Sequence, residues 1–520
     1  MQSAFGLGRR RLLQAAALGP TLAMAPQWEV DAQTGAKTLT VAISNSPANI
    51  DPINMILHDP LVITESIYEN LVEVDVNGDL QPQLAKALPE LSADRLTHTF
   101  ELREGITFQN GQPLTAKDVK YSFDTTLDPK RNAARRSVFT NIDKVTVDGP
   151  MRVHVTTKIP YRQWLWFMTK YMGIWPDGSR EKYGDEYFKR RPVGMGTGPG
   201  IFESWRPNQY VSLTRNSNYW QKGIPHWDRL VVQFVPEDAT RVAYLLTNKT
   251  GIIGAPPPRD FARLKKQSGL TGAARSTLGG WSVMLLNSLK PPFDDVNFRK
   301  AMAYAINREE LAKRAFFGLV TPATVPAPPG SWWYDKKADS IITYNPDKAR
   351  EYLKKSKYPD GATFDMLVPA VPYLLDVKNA AVAIQAELQK INIRPNLRLE
   401  DPLIALKHST GGEAQCLLIN IMQPGEPTYL IMVNLTPDRV MSKSSGWTSP
   451  ELDKLLDEAY GEPDQAKAKV IYARMMTLLA EQSPYVWLGF FDSANLWRNN
   501  IKDFKVNQGL TMRARDVIPG

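Results

Sequence analysis

The chain has 520 residues, 43% hydrophobic and 22% charged, with a formal net charge of +9. That length allows two or three domains, the balance excludes a disordered chain, and a mild cation excess without a long Lys/Arg run excludes a nucleic-acid stripe. The single cysteine, Cys416, excludes folding that depends on an internal disulfide and reads as a small buried hydrophobe.

Three of the positive charges are Arg9, Arg10 and Arg11, and residues 1–25 contain no Asp or Glu. An apolar stretch of about 13 residues, Leu12 to Met24, follows; a bilayer span needs roughly 20. With small residues around Ala23-Met24-Ala25 this is the pattern of a signal peptide, and Gly8-Arg9-Arg10-Arg11-Leu12-Leu13 resembles a twin-arginine export signal. Pro26 disfavours a cut directly after Ala25, so residues 1–36 are assigned to the leader as a whole. No cysteine follows the apolar segment, and no later stretch is apolar enough to span a bilayer. A periplasmic protein without a lipid anchor is predicted.

Leu39, Val41 and Ile43 alternate in Thr38–Ile43, which predicts a strand, followed by a polar turn from Ser44 to Pro52 and a helix near 61–71. Thr97–Leu102 and Met151–Thr156 alternate in the same way, and Asn110-Gly111 is a hairpin-type turn. Thr115 with Asp118 three residues later is a capping-box variant that predicts a helix start. The glycine-rich run 191–200 reads as a structural loop. Strands over 210–215 and 229–235 and a helix over 239–246 follow. Asn297 to Arg314 has the spacing of one amphipathic helix. Asn345-Pro346 and Ser449-Pro450 place a cap and then a proline at the first helical position. A helix through 468–479 and a short buried strand over Val486–Phe491 complete the pattern. Strands and helices without strict alternation predict mixed α/β lobes.

Chemistry-bearing motifs are missing from this pattern. The five histidines have no metal-ligand spacing to one another or to Cys416, and His98 and His154, among Thr and Arg in alternating strands, read as solvated surface. No nucleophile elbow, Walker loop or zincin helix occurs, and Pro199 removes a backbone donor from the glycine-rich run where a phosphate would need one. Catalytic residues, metal ligands and cofactors are therefore all assigned as none.

Several segments carry a family resemblance. The run Leu102 to Phe123 (LREGITFQNGQPLTAKDVKYSF), Gly196 to Trp205 (GTGPGIFESW), Arg215 to Trp220 (RNSNYW) and Asn297 to Leu311 (NFRKAMAYAINREEL) resemble signature segments of the family 5 extracellular solute-binding proteins. These are the dipeptide-, oligopeptide- and nickel-binding proteins of ABC importers. Tyr68–Leu88 and Trp447–Ala459 fit as well, in the family's order. The resemblance implies a periplasmic binding protein-like fold (type II, cluster C), with two α/β lobes joined by a hinge of two crossing strands, plus an extra subdomain. The expected division is lobe I over 37–79, 191–279 and 492–520, the extra subdomain over 80–190, and lobe II over 280–491. It further implies a non-enzymatic, monomeric binding component that hands a small solute to a membrane permease and ATPase complex. A chemoreceptor partner, or a periplasmic enzyme or chaperone on the same fold, is the alternative.

The resemblance also suggests where ligand sits. Ser44, Asn45 and Ser46 follow the first strand, Trp281 lies at the inter-lobe crossing, and Tyr373 falls in a lobe II loop. In Leu417–Leu430 (LLINIMQPGEPTYL), peptide-binding members carry an aspartate that pairs with the peptide's ammonium group; here Gln423, or Met422 one residue earlier, stands at that position, with Tyr429 following. Neither is anionic, and a neutral amide does not neutralise a buried ammonium. The expected ligand is therefore a sugar, an opine-like conjugate or another metabolite rather than a peptide held by its free amino terminus.

Overall fold

The computed structural model describes residues 36–55, 58–162, 164–370, 375, 377–422, 431, 435, 442–462, 464–507 and 512–520. The leader up to residue 35 lies outside the described residues. One eleven-stranded sheet runs through the molecule. At one end β1 (Thr38–Ile43) lies between β10 (Arg229–Phe234) and β11 (Ile252–Gly254), parallel to both, and β9 (Tyr210–Arg215) and β8 (Gly200–Arg206) extend the sheet antiparallel. At the other end β14 (Thr363–Pro369) lies between β15 (Arg394–Glu400) and β16 (Cys416–Met422), again parallel to both.

Two long strands join these ends. The first half of β12 (Leu270–Leu286) pairs with Arg498–Asp492 of β17 (Tyr485–Arg498), and its second half pairs with both β16 and Phe490–Tyr485 of β17. The pairing slips between Ser276 and Trp281 and again at Ser282/Val283, and β13 (Val320–Pro322) adds to β17 near the second slip. Such irregularities bend a strand and raise its twist. The apolar run Val486–Phe491 is thus only the first half of a fourteen-residue strand, which continues through the polar residues Asp492, Ser493 and Asn495.

A hairpin of β2 (Val72–Val74) and β3 (Leu80–Pro82) leads into a separate antiparallel sheet. Its order is β4 (Glu90–Leu91), β5 (Thr97–Glu101), β7 (Arg152–Thr157), β6 (Ile142–Asp148). The helices Ala116–Leu127 and Trp164–Tyr171 pack in this region. His98 is a correction to the sequence reading. It is 2% exposed, edge-on to the Trp164 ring at 5.2 Å, and burial with the Arg162 charge lowers its pKa to about 4. Period two places His98 on the same face of β5 as Phe100, the face that Trp164 covers, while Thr97, Thr99 and Glu101 keep the accessible face. His154 keeps a partly exposed ring with Nδ1 2.9 Å from Thr99 Oγ1.

Because the unfolded chain binds the His98 proton more readily than the folded one, unfolding free energy should fall as pH drops from 6.5 towards 4. The loss is up to about 3 kcal/mol. Urea titrations of His98→Phe across this window should show a shallower slope. His58, whose pKa is also lowered, keeps part of it. An unchanged slope would remove His98 from the account.

Local cap signals match their helices. Asp118 accepts the Thr115 N–H at 2.7 Å, Asn345 accepts from Asp347 and Lys348, and Ser449 accepts from Leu452. The single helix expected over Asn297–Arg314 is instead Val296–Ala305, a short turn Arg308–Glu310 and a π-turn Leu311–Ala315. Asn307 causes the break: its side chain accepts the Glu310 N–H at 3.1 Å, which offers the backbone an alternative to continuing the helix. Arg308, buried beside it, donates to the Ala303 and Ile306 carbonyls left at the end of the first segment.

The glycine-rich loop has a packing role. Glu69, fully buried, accepts from Thr197 Oγ1 at 2.8 Å, Tyr219 Oη at 2.7 Å and Trp220 Nε1 at 2.9 Å. One carboxylate therefore ties the GTGPG and RNSNYW segments to the helix Leu61–Ile67. A Cβ on Gly196 would lie 1.8 Å from the Ile67 carbonyl oxygen, so only glycine lets the loop approach this closely.

Candidate functional site

The site forms where the turn after β1, the end of β11 and the polar half of β17 meet Leu319, Leu375 and Met512. The turn after β1 is fixed by Asp59, whose carboxylate accepts from Ser44 Oγ and the Asn45 N–H, each at 3.0 Å, and from Asn45 Nδ2. Burial raises the Asp59 pKa, and these hydrogen bonds oppose the rise. Ser44, Asn45, His58 and Asp59 form one wall of a cavity of about 50 Å³. Gly254, Ala255, Leu319, Leu375, Met512 and the polar half of β17 form the rest.

His58 reaches across from the first lobe. Its buried ring lies edge-on to Tyr171 at 6.2 Å, and its Nδ1 has no hydrogen-bond partner. Burial and the nearby Lys170 and Arg135 charges hold its pKa well below the usual range, so it stands in the cavity wall as a neutral imidazole.

Asp492 is the distinctive group. Its N–H donates to the Leu319 carbonyl at 2.9 Å, which fixes the backbone, while its carboxylate Oδ1 is buried without a hydrogen-bond partner. Burial raises the Asp492 pKa to about 6. A buried carboxylate oxygen without a partner is costly, and a ligand that donates to it removes that cost. Ser493 and Asn495 follow on the same strand and line the same cavity, so a cationic group at Asp492 would have neutral hydrogen-bonding groups beside it.

The sequence-predicted residues separate in the structure. Ser44 and Asn45 line the cavity, whereas Ser46 turns away, its hydroxyl accepting the Asn208 N–H at 3.2 Å. Trp281 is 1% exposed and packs edge-on against Phe490, inside the crossing rather than in the cavity lining. Met422 is buried at the end of β16 and is not among the residues that line the cavity. Tyr373, Gln423 and Tyr429 lie outside the described residues. Sequence reasoning missed His58, Asp59, Asp492 and Asn495. The available signal was Asp492-Ser493-Ala494-Asn495, polar residues directly continuing an apolar strand. Among the described residues no three His, Cys, Asp or Glu side chains come together as a metal site.

Comparison with known proteins decides the family. The sequence profile of the Bacterial extracellular solute-binding proteins, family 5 Middle, matches residues 79–437. The chain belongs to this family. It is a family of binding proteins and not of enzymes. The Glutathione-binding protein GsiB of Salmonella paratyphi A is 32% identical over 329 residues, which are 63% of this chain and 62% of that relative. The match thus spans less than two thirds of that protein's length. Among solved structures, the ABC transporter-associated periplasmic binding protein DppA of Helicobacter pylori in complex with the peptide STSA superposes with a TM-score of 0.80 at 22% identity. That match covers 94% of this chain and 99% of the other. AgaA of A. tumefaciens R10 in complex with agropinic acid gives a TM-score of 0.79 at 24% identity, covering 92% and 98%. The fold is that of the periplasmic binding proteins, with an added antiparallel subdomain. Among the described residues no helix is long and apolar enough to cross a membrane.

Proposed function

We propose that this chain is the solute-capturing component of an ABC-type importer. In this reading the 1–36 leader exports it by the twin-arginine route, and the mature, unanchored monomer passes its solute to a membrane permease and ATPase complex. The lobe boundaries expected from the sequence go with this reading. Their support is the sheet order, in which β1 and β8–β11 lie on one side of the crossing strands and β14–β16 on the other.

The observation that carries the ligand assignment is the buried Asp492 carboxylate oxygen without a hydrogen-bond partner in the inter-lobe cavity. The solute is an amino-acid-derived compound whose cationic nitrogen pairs with Asp492, with hydroxyl or amide groups held by Ser44, Asn45 and Asn495. This keeps the neutral Met422–Gln423 position of the sequence reading and draws the counter-charge from a different strand. Glutathione, peptide and agropinic acid, named for the three relatives, are all amino-acid derivatives, which supports that class.

A thermal-shift screen over glutathione, dipeptides, opines, neutral sugars and dicarboxylates tests it. A ligand at a hundredfold excess over its Kd stabilises the folded form by about 2.7 kcal/mol. Stabilisation by amine-bearing compounds is expected; stabilisation by sugars or dicarboxylates alone would overturn the assignment.

A further inference from the structure

A second cavity lies at the opposite end of the strands that lead to Asp492. The first cavity is walled by Ser44, which follows β1, and by Gly254, which ends β11. The second is walled by Lys37, Thr38 and Gly251, where the same two strands begin, one strand length or roughly 17 Å away. It encloses about 700 Å³, the size of a small-molecule site.

Strand register builds its wall. Ala42 of β1 stands opposite Gln233 of β10 and, through Ile253 of β11, in line with Leu496 of β17. Period two then puts Thr38, Thr40, Gln233 and Arg498 on one face of the sheet. The turn 248–251 ties them together. Gln233 Nε2 donates to the Lys249 carbonyl at 3.4 Å, the Gly251 N–H to Thr40 Oγ1 at 2.8 Å, and the Arg498 N–H to the Gly251 carbonyl at 3.1 Å.

Three polar atoms of this wall are buried without a hydrogen-bond partner: Thr38 Oγ1, Gln233 Oε1 and Arg498 Nε. Gln233 is only 6% exposed. The lining side chains include the cations Lys37, Lys249 and Arg498 and no Asp or Glu. Even with a carboxylate at Gly520, whose oxygen accepts from Asn500 Nδ2 at 3.1 Å, cations outnumber anions. Arg498 Nε and the two ammonium groups are donors that suit an oxyanion. Gln233 Oε1 is an acceptor, so it repels an oxyanion and calls for a hydroxyl; the Thr38 hydroxyl serves either.

We propose that this face of the first lobe is a second binding site, for a hydroxyl-bearing organic oxyanion. Arg498, Lys37 and Lys249 take its carboxylate or phosphate group, and Gln233 with Thr38 takes a hydroxyl. A bare anion satisfies only the first set and a neutral polyol only the second, so the site favours molecules that carry both. It is separate from the cleft, and its failure leaves the solute-capture reading, which rests on Asp492, untouched.

Calorimetry on the full chain tests the site with glycerophosphate and glycerate, which carry hydroxyls beside a phosphate or a carboxylate, against inorganic phosphate, acetate and glycerol. The better of the two hydroxylated anions is expected to bind at least tenfold more tightly than its bare counterpart, and which one it is identifies the anionic group. Glycerol is expected not to bind at millimolar concentration. Lys37→Gln/Lys249→Gln alters only two exposed side chains and should weaken the anion at least tenfold. Gln233→Leu should spare the bare anion and abolish the preference for the hydroxylated one; Thr38→Val repeats this test without changing the buried amide. Asp492→Asn should leave all of these affinities unchanged. The proposal is overturned by binding that survives the double lysine variant or depends on Asp492. It is equally overturned if no probe binds, as when Glu29 and Asp31 of the chain's own leader engage the cations.

Discussion

Asp492→Asn is expected to weaken binding of an amine-bearing solute by a hundredfold or more, while making the unliganded protein more stable. Both effects have one cause. In the closed cleft the ligand's cation and the carboxylate form a charge-assisted pair away from water, and removing one partner of such a pair costs about 2–5 kcal/mol of affinity. Without ligand, Oδ1 of the same carboxylate has no hydrogen-bond partner, and burial penalises its charged form. The isosteric amide removes that penalty.

The pH dependence carries the same signature. With the folded pKa raised to about 6, the folded protein binds more protons than the unfolded chain between roughly pH 4 and 6. The Asp492 contribution therefore makes the unliganded protein less stable as pH rises through this window. Affinity for a cationic solute moves the other way, falling about tenfold per pH unit below 6 as the carboxyl takes up its proton. In Asp492→Asn both dependences flatten. Calorimetry and chemical denaturation at pH 5 and 7.5 measure them, and a variant that binds normally, or that loses stability, would show that Asp492 does not face the solute.

The second large effect concerns a buried ion pair between the segment after β1 and the short helix Ser179–Tyr183. Asp51 and Arg180 form a two-pronged ion pair at 2.7 and 3.0 Å with both side chains essentially inaccessible, and the guanidinium stacks on Trp175 and Phe188. Asp51→Ala is expected to cost about 3–5 kcal/mol, because it leaves the buried guanidinium with only the partly exposed Asp185 as counter-charge. The double variant Asp51→Leu/Arg180→Met should recover much of that loss, since two apolar side chains of similar bulk need no counter-charge. Denaturant titration distinguishes the cases. A double variant as unstable as the single one would mean that the pair is needed for its hydrogen bonds and not merely for charge balance. Arg180→Met on its own should cost a similar amount, because it leaves the inaccessible Asp51 carboxylate without its counter-charge, whereas Asp185 keeps Arg131 at 3.0 Å.

Much of the architecture was legible in short stretches of chain. The Thr115, Asn345 and Ser449 caps, the alternation in β1 and β5, and the Asn110-Gly111 turn are interactions between residues two to four apart, and they survive any tertiary context. The family motifs were legible too, but for a reason invisible in sequence: Thr197, Tyr219 and Trp220 all end on the single carboxylate of Glu69. The helix break at Asn307 could have been suspected from the asparagine, yet the spacing of apolar residues continued smoothly through it.

By itself, then, the sequence determined the family, the mixed α/β lobes and the helix starts, because these follow from local hydrogen bonding and from the period of apolar residues. Only the tertiary structure decided the site. The sequence reading ended the buried strand at Phe491, whereas pairing with β12 and β11 continues it to Arg498 and brings Asp492, Ser493 and Asn495 into the cavity wall. The same long-range packing buries His98 and turns Ser46 away. Whether a polar side chain is solvated, structural or poised for a ligand depends on what the rest of the fold brings against it, and no local pattern encodes that.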